Sequence, residues 1–360
     1  PPGPAAIEED RMRIVVIGAT GNVGTALLRR LHAAPEVDSV VGISRRGPGR
    51  DGEPYDGVEW HRIDVSSPDS STALVEAMRG ADAVVHLAWI IRPNRDLALL
   101  ARTNVEGSRR AFEAAAAAGV PHLVHASSIG AYGHEDERPP GHERTDESFP
   151  RHGAPLSHYG RQKSAVELIL DGVEAEHPEM LVSRLRPGLI FQAEAGPEIR
   201  DYFLGALSPR LLLRALPALR LPVLPWPAGV VAQCVHADDV ADAYWRVVRA
   251  GAAGPFNVAA EPPLSPQSVG PLFGSRRYLP IPVPLVRLLV ALSYRLRLQP
   301  TDPGWVDMAV LTPVMGTDRI RGLGWKPRHS STDTVRELVE RLGARGGLGN
   351  ALHRSRSPLE

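Results

Sequence analysis

Through the first 260 residues, short runs of β-branched and other apolar residues alternate with longer segments whose apolar positions recur every three or four residues. The continuous runs at 13–18 (RIVVIG), 39–44 (SVVGIS) and 58–65 (VEWHRIDV) predict three strands, and further strands are predicted at 81–89, 121–133, 181–191 and 255–260. The helix-period segments predict helices from about Asn22 to Ala34 and over 71–80, 96–119, 158–177 and 238–250, the last capped by Asp238. Strands without polar alternation are buried on both faces, so the sheet is parallel and covered by helices on either side. With right-handed crossovers this is an α/β, doubly wound parallel-sheet Rossmann fold.

The rhythm breaks over 192–233 and 261–343, which are rich in Pro and Leu. We read them as a smaller, discontinuous, mostly helical C-terminal substrate-binding lobe over the carboxyl ends of the strands. The dinucleotide-binding domain is then 11–191 plus 234–260, with a disordered leader at 1–10 and a loose tail at 344–360. The stretch 203–231 is markedly apolar but broken by arginines. Besides simple burial on the sheet, it is suited to closing over a hydrophobic substrate, packing on a partner subunit or lying on a membrane surface.

Composition narrows the function. A formal net charge of zero over 360 residues offers nothing to nucleic acid. The single cysteine, Cys234, rules out an internal disulfide framework and fits a reducing compartment. With no secretory pattern at the start and no uninterrupted apolar run of about 18 residues, the expectation is a cytoplasmic protein without an integral membrane span. No metal-ligand spacing stands out.

Between the first strand and first helix lies IGATGNVG, with Gly18, Gly21 and Gly24 in a GxxGxxG spacing and Thr20, Asn22 and Val23 among them. Glycines there allow a tight turn and close approach of a pyrophosphate to a helix N-terminus. The second strand ends in Ser44, Arg45 and Arg46, with no carboxylate before Asp51. Arginines at this place favour the 2′-phosphate of NADP(H) over the ribose hydroxyl of NAD. They also suit a plain solvated turn. Asp64, followed by Val65, ends the third strand where an adenine amino group would lie.

The chain contains two lysines, and Lys163 is one of them. It follows Tyr159 by four residues in SHYGRQKSA, so the two share a helix face. A phenol with a pKa near 10 is a poor acid or base at neutral pH, and a nearby ammonium lowers it. Ser127 and Ser128 end the fifth predicted strand in HASSIGAYG, where a hydroxyl can hold a substrate oxygen.

These stretches, together with HLAW (86–89), TNVEGSRR (103–110), DESFPRHGAPLSHYGRQK, LRPGLIF, VHADDVADAY and FNVA, resemble the extended short-chain dehydrogenase/reductases of the NAD-dependent epimerase/dehydratase group. The resemblance covers Arg13 to about Ala260. It implies that Tyr159 is the catalytic acid/base, Lys163 its partner and Ser128 the hydroxyl that orients the substrate. It also implies that His86, Leu87 and Ala88 form a loop beside the cofactor, continued by Trp89, and that Asn104 steadies it. Pro187, Gly188 and Leu189 flank the nicotinamide, while Ile90, Ser127, Ile129 and Phe191 face the substrate. His236 is expected to anchor the sheet. Relatives in this group often form homodimers through the helices around 96–118 and 158–176, and that analogy is the expectation here.

Two departures qualify the resemblance. Sugar-nucleotide epimerases of the group place an Asn where this chain has Leu189, and an Arg near Ala232 and Gln233. A diphosphate needs such donors. Together with Trp89, Ile90 and Ile91, this favours an NAD(P)-dependent oxidoreductase acting at a carbonyl or hydroxyl carbon of a small lipophilic substrate. The alternatives are an NDP-sugar epimerase/dehydratase and a dinucleotide-binding sensor or assembly protein without turnover.

Overall fold

The computed structural model describes residues 11–342 except 50, 92–93, 134–142, 197–198 and 200–219. The leader, the tail, Arg200, Arg210 and most of the apolar 203–231 stretch therefore lie outside the described residues.

The strands are β1 (Met12–Ile17), β2 (Val37–Ser44), β3 (Val58–Arg62), β4 (Ala83–His86), β5 (His122–Ala126), β6 (Arg144–Thr145), β7 (Leu181–Pro187), β8 (Leu189–Phe191), β9 (Leu224–Pro227), β10 (Cys234–His236), β11 (Gly254–Val258), β12 (Tyr278–Ile281) and β13 (Val314–Met315). Seven of them form one parallel sheet in the order β11-β7-β5-β4-β1-β2-β3. The order reverses between β1 and β4, which opens a crevice at their carboxyl ends. The helices are α1 (Asn22–His32), α2 (Ser71–Met78), α3 (Leu97–Ala101), α4 (Gly107–Ala117), α5 (His158–Glu176), α6 (Ala237–Arg249), α7 (Pro266–Val269), α8 (Val283–Arg295), α9 (Gly304–Leu311), α10 (Asp318–Gly322) and α11 (Ser331–Leu342). A π-helical turn at Arg102–Glu106 joins α3 to α4.

The apolar strands bury both faces, as their composition demands. On one face Leu27, Leu31, Tyr244 and Trp245 of α1 and α6 pack on Ile14 and Val16. On the other, Leu74, Phe112, Val166 and Leu170 of α2, α4 and α5 pack on Val15 and Val84. A smaller, separate cluster joins Leu224, Cys234, Leu264 and Val269.

Four expectations change. The strand predicted over 181–191 is two strands, because the chain leaves the sheet at Gly188 and β8 pairs with β10. A Cβ at Gly188 would lie 2.5 Å from the Gln233 carbonyl oxygen, so this break needs glycine. The strand predicted over 121–133 ends at Ala126 and turns into a 3₁₀ turn at 129–131, capped by the Ser128 side chain. Helix α6 is capped by His236, whose Nδ1 accepts from the Asp238 N–H at 3.2 Å, while Asp238 pairs with Arg29 at 2.9 Å. Finally, Ile320 and Trp325 return to the main core, where the Trp325 indole donates to the Asp239 carbonyl at 2.8 Å. Sequence grouping of all of 261–343 with the second lobe missed this return.

Candidate active site

The loop after β1 is shaped by its glycines. Gly18 sits at φ +88°, and a Cβ there would fall 2.7 Å from the Ala88 nitrogen. A Cβ at Gly24 would fall 2.4 Å from the Gly18 carbonyl, so loop and helix approach only because both lack side chains. Gly21 caps α1 without a side-chain hydrogen bond, and the first turn holds no acidic residue. Thr20, Asn22 and Val23 belong to this turn, and Leu87 donates to the Ile17 carbonyl at 2.8 Å beside it. Free backbone donors at the positive end of a helix dipole, in a cradle that Cβ atoms would fill, fit a dinucleotide pyrophosphate.

At the far end of the cradle, the Ser44 hydroxyl accepts from the Gly47 N–H at 3.0 Å, while Arg45 and Arg46 are exposed. Arg62, opposite Ser44 in the β2–β3 register, lies within 3.3 Å of where a Gly47 Cβ would be. The sequence reading passed over Arg62, since only the pairing of β3 with β2 brings it here. Asp64 accepts from both the nitrogen and hydroxyl of Ser66, at 2.9 and 2.7 Å, and Val65 packs where a Cβ on Gly107 would lie 2.9 Å away.

The structure brings Ser128, Tyr159 and Lys163 together at the carboxyl end of β5. Ser157 caps α5 through the Gly160 N–H, so Tyr159 lies in the first turn and Lys163 one turn on. The Ser128 hydroxyl accepts from the Gly130 N–H at 3.0 Å, and the Tyr159 ring packs beside Gly130, where a Cβ would lie 2.8 Å from it. Burial raises the Tyr159 phenol to about 12, against a downward pull from the Ser128 hydroxyl. Burial also pushes the Lys163 ammonium well below its ordinary value. Its Nζ donates to the Ala126 carbonyl at 2.6 Å and lies 3.4 Å above the centre of the Trp89 ring. Desolvation dominates both groups, and the ammonium faces a carbonyl and an indole.

Trp89 and Trp305 enclose Tyr159, with ring centres 5.9 and 5.2 Å away. Asn104, on the π-helical turn, ties down the chain beyond Trp89: it accepts from the Ile90 nitrogen at 2.8 Å and donates to the Ile90 carbonyl at 3.1 Å. The cleft beside Tyr159 is walled by Ile90, Leu97, Leu100, Gln162 and Trp305, with Asp302 at its edge. Trp305, from α9, was missed from the sequence, where GWVDMAVL reads as an ordinary apolar helix. Among the described residues the cleft wall contains no Lys or Arg.

Other expected site residues lie elsewhere. Ser127 points away from Ser128 and donates to buried Glu167 at 2.5 Å, so it is not free for substrate. His86 is a core residue, its ring 5.4 Å from Phe112 and 5.5 Å from His125, and burial lowers it to about 3. Ile129 packs with Tyr132 and Met315, and Phe191 packs against the cluster of Leu224 and Cys234. Neither reaches the cleft. Pro187 and Gly188 are buried at the strand break, Leu189 is exposed beyond it, and Gln233 is held by the backbone of Met315 at 2.6 and 3.1 Å. No group of three or more His, Cys, Asp or Glu arranged to hold a metal occurs among the described residues.

A seven-stranded Rossmann sheet with a glycine cradle at the switch point and Ser, Tyr and Lys at the end of β5 defines a nicotinamide-dependent enzyme of the extended short-chain dehydrogenase/reductase type. Residues 14–259 match the NAD dependent epimerase/dehydratase family, and the chain belongs to it. It is 31% identical over 257 residues to UDP-glucose 4-epimerase of Mycolicibacterium smegmatis, spanning 69% of this chain and 77% of that protein. It is 32% identical over 188 residues to NAD-dependent glucose-6-phosphate dehydrogenase of Haloferax volcanii, spanning 50% of this chain and 69% of the other. In fold it matches the crystal structure of Thermus thermophilus UDP-glucose 4-epimerase complexed with NAD, at a TM-score of 0.64 and 22% identity, covering 92% of this chain and 99% of that one. No helix among the described residues is long and apolar enough to cross a membrane.

Proposed function

We propose that the protein is an NADP(H)-preferring oxidoreductase acting at a carbonyl or hydroxyl carbon of a small lipophilic substrate. The observation that carries this reading is the cleft wall beside Tyr159, where Ile90, Ile91, Leu97, Leu100 and Trp305 stand among uncharged amides, His158 and Asp302, with no Lys or Arg among the described lining residues. A sugar diphosphate brings negative charges that such a wall leaves uncompensated.

When bound, the dinucleotide supplies or accepts the hydride. The glycine cradle and the start of α1 hold its pyrophosphate, with Arg45, Arg46 and Arg62 disposed for a 2′-phosphate. Tyr159 Oη gives a proton to the substrate oxygen in reduction and takes it back in oxidation. Ser128 Oγ, close enough to the phenol to pull its pKa down, holds the same oxygen in line. Lys163 stands one helix turn behind the phenol, and its contacts with the Ala126 carbonyl and Trp89 keep it from swinging into the cleft. The exposed Leu168 on α5 supports a homodimer through α4 and α5.

An NDP-sugar epimerase is the second reading, supported by the 31% identity to a UDP-glucose 4-epimerase. Titration of nucleotide-free protein with NADPH and NADH, with assay of any nucleotide retained on purification, separates the two. Preferential NADPH binding, weakened about tenfold or more in Arg45→Ala/Arg46→Ala with NADH binding unchanged, supports the oxidoreductase. Retained NAD with NADH preference sinks it in favour of the epimerase.

A further inference from the structure

Helix α8 lies on the second lobe and buries none of its thirteen residues. Leu285, Leu288, Leu289 and Leu292 are each about half exposed, and Leu296, just past the helix, is more so. Their spacing of three, four, seven and eleven residues confines them to an arc of about 100°. That is the width of stripe a helix ordinarily turns toward a core. Here it faces outward, and the opposite side shows why. Arg287 pairs with Asp307 of α9 at 2.8 Å, and Arg95 stacks on the Tyr294 ring at 4.0 Å. The helix is held by the side that carries Arg287, Tyr294 and half-buried Val283, Val286 and Val290, with its leucines in solvent.

Positive charge gathers in the same stretch of chain. From Pro262 to Thr301 there is no Asp or Glu, while five arginines fall in this span. Arg276, Arg277, Arg295 and Arg297 are exposed, and next to the first two β12 adds exposed Tyr278 and Leu279. An exposed apolar stripe with exposed arginines before and after it in the chain, in a stretch that has no acidic residue of its own, is complementary to an apolar layer under anionic headgroups. A second copy meeting this face by a twofold axis would set arginines against arginines, with no carboxylate from the stretch between them. At about 20 Å the helix is too short to cross a hydrocarbon layer of ~30 Å, so it would lie in the surface plane.

We propose that α8 and β12 form a docking surface for an anionic membrane. The surface adjoins the cleft. Asp307, which anchors α8, lies on the helix that carries Trp305, and Arg95, which holds Tyr294, sits between Asn94 and Leu97 of the cleft wall. Docking therefore brings the cleft close to the lipid. The proposal stands whatever the substrate, since binding to lipid is read without turnover.

The test is co-sedimentation of the full chain with vesicles of phosphatidylcholine alone and of phosphatidylcholine mixed with phosphatidylglycerol. Binding to the mixed vesicles, weakened by salt and absent without the anionic lipid, is expected. Leu288→Glu/Leu292→Glu should weaken it at least tenfold by placing charge in the apolar layer. Arg295→Glu/Arg297→Glu should weaken it by about tenfold or more through charge reversal. All four positions are exposed or nearly so, and circular dichroism checks that each variant is folded. Failure of the folded wild-type chain to bind at low salt overturns the proposal, as does unchanged binding by both double variants. A wild-type dimer that Leu288→Glu/Leu292→Glu converts to monomer, with no vesicle binding by either, reassigns the face to self-association.

Discussion

The two halves of α5 treat buried charge in opposite ways. At its start, Tyr159 and Lys163 are enclosed by Trp89 and Trp305, and burial drives both toward their neutral forms. One turn further on, Glu167 is fully buried yet held below the ordinary carboxylate range. Burial opposes that, but hydrogen bonds and charge from Arg186 and Arg184 and a bond from Ser127 outweigh it. Arg186 Nε reaches Glu167 at 2.7 Å and its Nη1 reaches the Tyr132 hydroxyl and the Glu147 carbonyl, each at 2.9 Å. Arg151 adds a contact at 3.1 Å. The second half satisfies its polar atoms and gains rigidity. The first sets its two titratable groups against indole rings and a backbone carbonyl.

The sharpest way to break the comparison is to remove one group from each half. Tyr159→Phe should lower kcat by about 10²–10⁴-fold on any carbonyl substrate while leaving NADPH affinity and Tm near wild type. A large loss of Tm instead would mean that the phenol is structural. Glu167→Gln should do the reverse. Leaving Arg186 buried without its counterion should cost about 3–5 kcal/mol in urea unfolding, with little change in turnover per folded molecule.

Ser127 and Ser128 sharpen the same contrast between neighbours. Ser128→Ala should reduce kcat about tenfold to a hundredfold with stability preserved. Ser127→Ala should cost about 1–2 kcal/mol of stability and leave kcat unchanged. Equal kinetic effects from the two would mean that the direction of one of the side chains is wrong.

A further contrast lies in pH dependence. His86 and His125 are buried without hydrogen-bond partners for their ring nitrogens, and burial lowers His86 to about 3 and His125 well below its ordinary value. Below pH 6.5 the unfolded chain binds protons that the folded chain refuses. Stability is therefore full above that pH and falls as pH drops, by about 1.4 kcal/mol per unit for each histidine. Buried Glu167 acts in the same direction at lower pH. His125→Leu should flatten the decline of Tm between pH 7 and pH 5. An unchanged slope would assign the acid sensitivity to the carboxylates alone.

Much of the molecule was legible in order along the chain. Unbroken apolar runs separated by helical periods sufficed for the parallel sheet, because burial on both faces leaves no other arrangement. The glycine spacing sufficed for the cradle, since a Cβ at Gly18 or Gly24 would strike backbone. Tyr159 and Lys163 were legible because one helix turn relates them. Contacts between distant segments were not. The Ser127 and Ser128 hydroxyls differ only because successive residues leaving a strand face opposite sides, and only the packed α5 shows which side holds Glu167. Nor does a local pattern reveal that Trp305 meets Tyr159, that Arg62 comes to lie beside Gly47, or that the leucines of α8 face out. The period of α8 is that of a helix covering a core. The side it turns to solvent was decided by the Arg287–Asp307 pair and by Arg95 on Tyr294, contacts whose partners lie 20 and 199 residues apart.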